Sequence, residues 1–83
     1  MYYLYVIQNE LKEFYVGYSS NVERRLADHN AGGRHSTQGH QWQLVYYEAY
    51  VSEEYARNRE QVLKKNRRMK TILLDRVKQS LSF

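Results

Sequence analysis

Eighty-three residues without a cysteine make one domain, spanning 1–83, that neither disulfides nor thiolate-bound metal can staple, so packing alone must build its core. No apolar run approaches the ~20 residues of a membrane-spanning helix and no basic-then-apolar leader opens the chain; no membrane partner is expected, and the cytoplasm is the expected compartment. The net charge of +4 is unevenly spread: residues 1–56 carry four basic and seven acidic side chains, residues 57–83 nine and two, so a polyanion such as nucleic acid is drawn to the last third.

Residues 2–7 (YYLYVI) are β-branched and aromatic and predict a strand. Residues 8–13 are polar and turn the chain, and 14–18 (FYVGY) predict a second strand, so the chain opens on a β-hairpin. Gly17, near the end of that strand, would let a neighbouring backbone or a phosphate come close. Ser20 and Glu23 have capping-box spacing, which predicts a helix from about residue 21 to Asn30, ended by Gly32-Gly33. Residues 31–41 are polar and contain glycine, hence a loop. A third strand covers 42–50, with Trp42, Leu44 and Tyr46 alternating along one face. Ser52 is placed to cap a second helix reaching about Lys65, with Glu53 and Glu54 matching its macrodipole. Asn66 is placed to break it before a basic third helix that runs to about residue 79. The order β-β-α-β-α-α implies an α+β domain: a small three-stranded, mainly antiparallel sheet flanked by helices.

Several side chains along these elements could carry chemistry. Tyr5 and Tyr15 share a face of the hairpin only if the register allows it, and strand tyrosines ordinarily serve as cross-strand packers. On the first helix Val22, Leu26 and His29 form one stripe, and Arg25 borders it four residues from His29. On the second, Tyr55, Ala56, Val62 and Leu63 read as the buried stripe, with Glu60 at its border and Arg59 near its centre. An arginine there must either snorkel or meet a buried acid such as Glu48. His35 and His40 raise the question of zinc, but a structural site needs about four ligands and no cysteine is available.

Four of these elements, in order, resemble the GIY-YIG nuclease superfamily, in particular its small stand-alone bacterial members, over roughly residues 2–70. Tyr3-Leu4-Tyr5 stands at the first motif and Tyr15-Val16-Gly17 at the second. The string NVERRLADHN (21–30) is similar to the arginine helix, and QLVYYEAYVSEEYARNREQVLKK (43–65) to the strand and helix that carry the metal-binding glutamate, which falls on Glu60. Two departures stand out: Tyr3 replaces the glycine that opens the first motif, and Tyr18 follows the second where some members place lysine or serine. Residues 70–75 offer no match for an asparagine that some members use.

The resemblance implies a GIY-YIG-like fold and a metal-dependent endonuclease acting on DNA, in repair or recombination. Tyr15 is then the general base, Tyr5 positions water or phosphate, and Arg25 clamps the phosphate. His29 contacts the phosphate or supports a residue that does, and Glu60 holds one Mg²⁺ (or Mn²⁺). Arg34, His35 and Ser36 in the loop, with Lys64, Arg67, Arg68 and Lys70, would contact the DNA backbone. No separate recognition module is present, so a partner protein would have to supply sequence specificity. A non-catalytic nucleic-acid-binding module on the same fold is the alternative.

Overall fold

The computed structural model describes residues 1–82. The elements are β1 (Tyr2–Asn9), β2 (Phe14–Ser19), α1 (Val22–Asn30), a 3-10 turn (His35–Thr37), β3 (Trp42–Tyr50), α2 (Glu53–Lys65) and α3 (Arg67–Leu81). The strands form one wholly antiparallel sheet in the order β2-β1-β3. Helix α1 packs on one face, α2 and α3 on the other.

Sandwiching explains why β1 is apolar on both sides rather than alternating. Leu4 and Val6 point to a cluster closed by Val16, Leu63, Leu73 and Val77 under α2 and α3. Tyr5 and Ile7 point the opposite way, to Trp42, Tyr15, Val22 and Leu26 under α1. Full burial of each aliphatic chain contributes about 1.5–3 kcal/mol, so this one strand anchors both layers. The β1–β2 turn is held by Asn9, whose side-chain oxygen accepts from the backbone N–H groups of Leu11 and Glu13, each at 3.0 Å. That lets β1 run two residues past its expected end.

Three further expectations are corrected in detail. The cap of α1 is Asn21, whose side chain accepts from the Arg24 N–H; Ser19, not Ser20, braces that cap through hydrogen bonds with the Asn21 backbone. The single alternation of β3 breaks at a bulge: Val6 pairs with Tyr46 but Ile7 with Leu44. The extra residue, Val45, packs with Tyr46 against the α2–α3 cluster, whereas Trp42 packs under α1. The buried positions of α2 are Ala56 and Leu63, while Tyr55 and Val62 are exposed. Asn66 does end α2 and also caps α3 through the Met69 N–H, and α3 runs on to Leu81.

Arg59 meets Glu48. Its guanidinium donates to both carboxylate oxygens, at 2.9 and 3.0 Å, and the Tyr46 and Tyr50 hydroxyls each donate at 2.6 Å. Burial opposes ionisation of Glu48, but these hydrogen bonds outweigh it and hold the carboxyl below its ordinary value. This network pins α2 to β3.

Candidate active site

The hairpin register decides where the phenols lie. Tyr5 pairs with Gly17 and Tyr15 with Ile7, so both tyrosines project from the α1 face as diagonal neighbours. The missing Gly17 side chain makes room for Tyr5 itself, rather than for a phosphate. A Cβ there would lie 2.6 Å from the Tyr5 hydroxyl oxygen. The Tyr5 ring therefore lies across β2, and its hydroxyl reaches His29 Nε2 at 2.8 Å. His29 Nδ1 in turn lies 2.7 Å from the Thr37 hydroxyl, which donates to the Arg34 carbonyl at 3.4 Å. The result is a buried chain of polar groups from β1 through α1 to the 3-10 turn.

Electrostatics follow from that burial. Desolvation, then the neighbouring Tyr15, Glu60 and Asp28, push the Tyr5 phenol well above its ordinary pKa against the pull of Arg34. Desolvation pushes His29 down, so it is neutral near pH 7. Tyr15 differs: its ring stacks edge-on to His29 at 4.9 Å and to Trp42 at 6.4 Å. No hydrogen bond among the described residues uses its hydroxyl.

Tyr5, Tyr15, Arg25, Arg34 and Glu60 line one polar cleft of about 370 Å³, together with Gly17, Tyr18, Ser19, Ser20 and Glu53. Four elements thus converge on it, β1, β2, α1 and α2, joined by Arg34 from the residue before the 3-10 turn. Glu60 comes over the β2 edge from α2, its side chain 17% exposed and 3.5 Å from the Lys64 ammonium. That ammonium also stands over the Tyr15 ring, 5.5 Å from its centroid. An apolar groove of about 340 Å³ between α1 and β3, lined by Tyr3, Leu26, Leu44 and Tyr47, holds none of the candidate side chains.

The remaining candidates stand elsewhere. His29 is fully buried, outside the cleft lining, and meets the cleft through Tyr5 and the Tyr15 ring. His35 and Ser36 are exposed on the 3-10 turn, outside the cleft lining, and Arg67, Arg68 and Lys70 lie at the start of α3. His40 binds Glu10 at 2.6 Å, tying the hairpin turn to the approach of β3. The sequence did not mark Glu53 as a site residue, nor Thr37 as a partner of His29. Glu53 has the signature of a dipole-matching first-turn acid, and nothing local ties Thr37 to His29 eight positions earlier.

A model of the GIY-YIG catalytic domain matches residues 1–72. The chain belongs to the GIY-YIG family. It is 36% identical over 67 residues to a UPF0213 protein of Streptococcus pyogenes serotype M5, spanning 78% of this chain and 73% of that one. To a UPF0213 protein of Haloquadratum walsbyi it is 37% identical over 71 residues, 83% and 80% of the two chains. The solution structure of UPF0213 protein BH0048 from Bacillus halodurans superposes with a TM-score of 0.56 at 33% identity, covering 90% of this chain and 84% of that one. The fold of this GIY-YIG domain is accordingly nuclease-like.

Divalent metals are common in GIY-YIG nucleases, and the donor set here fits a hard, water-rich ion. Among the described residues no group of three or more His, Asp or Glu side chains could cage a metal. A magnesium ion needs only one or two carboxylates, with waters and a substrate phosphate completing its octahedron. Glu60, with Glu53 on the same wall, offers that much.

Proposed function

We propose that this GIY-YIG protein is a metal-dependent endonuclease that hydrolyses phosphodiester bonds of DNA. The observation that carries this reading is the presence of Tyr15, Arg25 and Glu60 in one cleft, although they come from β2, α1 and α2. Hydrolysis needs a water relieved of a proton, a neutralised phosphate and a stabilised leaving oxygen. Arg25 and Arg34 supply guanidinium donors suited to two phosphate oxygens. Glu60 would hold a divalent cation, Mg²⁺ or Mn²⁺, which supplies charge relief at the phosphate.

Of the two phenols, Tyr15 is the general base. Among the described residues the Tyr5 hydroxyl is hydrogen-bonded to His29 alone, so a proton passed along that contact would go to the imidazole. The ordinary gap between a phenol and an imidazole, about 3.5 in pKa, already makes that transfer cost about 5 kcal/mol. Burial raises Tyr5 and lowers His29, which widens the gap. Tyr5 stays neutral and orients groups in the cleft. Tyr15 has a hydroxyl with no partner among the described residues; it would take the water's proton while passing its own to solvent in the open cleft, and Arg25, Arg34 and Lys64 supply positive charge nearby for the negative charge that develops on the attacking oxygen. A partner protein would supply any sequence preference.

Cleavage of duplex, single-stranded and branched DNA with Mg²⁺ or Mn²⁺ tests this directly. The parent protein should cut at least one substrate, and Tyr15→Phe and Glu60→Ala should each reduce the rate by about 10²-fold or more. Retention of parental activity in both variants would overturn the mechanism. Salt-sensitive binding with no turnover by the parent would leave a non-catalytic DNA-binding module in its place.

A further inference from the structure

We propose that Thr37 is a positioning residue: with the Arg34 carbonyl it fixes His29 as the Nδ1–H tautomer, which turns the Tyr5 hydroxyl proton inward and its lone pairs toward the cleft. The inference deepens the nuclease reading and rests on it for its catalytic consequence, though the tautomer itself can be read without any activity.

The chain of hydrogen bonds starts at the Arg34 carbonyl. That oxygen can only accept, and it takes both the Thr37 backbone N–H at 3.2 Å and the Thr37 hydroxyl at 3.4 Å. Thr37 cannot swing away, because its own carbonyl accepts the Trp42 indole N–H at 2.9 Å and its side chain is fully buried. In the arrangement proposed, the Thr37 proton goes to Arg34 and the Thr37 oxygen presents lone pairs to His29 Nδ1, 2.7 Å away. Nδ1 then carries the ring proton. A neutral imidazole has only one, so Nε2 is bare and accepts. The Tyr5 hydroxyl, 2.8 Å from Nε2, is therefore the donor in that contact.

The reverse arrangement would have a different consequence. Were Nε2 protonated, the Tyr5 oxygen would accept from His29 and aim its own proton into the cleft, where it would suit a phosphate oxygen. In the arrangement proposed, Tyr5 offers lone pairs to the cleft and suits a hydrogen of the attacking water. One buried threonine, 32 residues from Tyr5 in the chain, thus decides which reactant Tyr5 can hold.

Long-range ¹H–¹⁵N spectra of the uniformly ¹⁵N-labelled full chain distinguish protonated from bare imidazole nitrogens. The expected result for His29 is a protonated Nδ1 and a bare Nε2. Thr37→Ser, which keeps the hydroxyl, should show the same pattern and near-parental cleavage. Thr37→Val keeps the shape but removes the acceptor; its His29 proton should move to Nε2, and cleavage should slow roughly ten- to hundredfold with DNA affinity little changed. A proton on Nε2 in the parent, or on Nδ1 still in a folded Thr37→Val, overturns the proposal. Should Thr37→Val fail to fold, the parent and Thr37→Ser spectra still decide it. A parent protein that shows the expected tautomer but cuts nothing would sink the nuclease reading alone.

Discussion

Gly17 and Tyr5 are a single structural unit split across two strands. Tyr5 is held at its far end by His29, and its ring passes over the one position in β2 that has no Cβ. Gly17→Ala would put a methyl 2.6 Å from the phenolic oxygen and 2.7 Å from the carbon that bears it. A rigid ring tethered by a buried hydrogen bond cannot yield as a flexible chain would. The expected outcome is a loss of about 1–3 kcal/mol in stability, seen as a lower thermal midpoint. Cleavage should fall by more than that loss explains, because Tyr5 is displaced from the cleft. An alanine variant with parental melting and parental rate would show that Tyr5 moves freely. This pairing was only half legible in the sequence. A glycine in an apolar strand signals close approach, but which group approaches depends on register, and register is set by the turn at Asn9 and by the partner strand.

Helix α2 divides adjacent side chains between the sheet and the cleft. Arg59 faces β3 and Glu48; Glu60 faces the cleft. Sequence alone exposed the oddity of Arg59, since an arginine in an apolar stripe demands an acid, and Glu48 was within reach. It could not expose the bulge at Val45, because a bulge is a property of two paired strands. Nor could it exclude Tyr55 from the buried stripe, because that depends on how far α2 extends beyond the sheet. The Glu48 network makes a pH prediction. A carboxyl whose folded pKa lies below its unfolded value, near 4.3, stabilises the fold above that value and loses the contribution as pH falls through the depressed one. Urea melts between pH 3 and 7 should therefore show stability falling on the acid side. Arg59→Met should flatten that limb and lower stability at pH 7 by about 2–3 kcal/mol, below the range for fully buried pairs because both side chains keep some solvent contact. An unchanged acid limb in Arg59→Met would place the titration elsewhere.

At the scale of the whole molecule the charge asymmetry becomes a ridge. Five of the seven residues from Lys64 to Lys70 are basic, and they run from the rim of the cleft across the α2–α3 junction. Lys64 and Lys65 suit the C-terminal turn of α2, where the macrodipole favours cations. Arg67 and Arg68 do not suit their place. They occupy the first turn of α3, which holds no acid, and there the dipole disfavours positive charge by roughly 0.3–1 kcal/mol each. Helix stability alone gives no reason for two arginines at that end, whereas the proposed DNA substrate, crossing the junction, would. The two explanations separate in one double variant. Replacing Arg67 and Arg68 with glutamine should raise the thermal midpoint slightly at low salt. The same change should weaken DNA binding and reduce the slope of log K against log salt concentration by about 1.8 for two lost phosphate contacts on duplex DNA. Binding and slope that survive the change would mean that these arginines are solvated and make no phosphate contact.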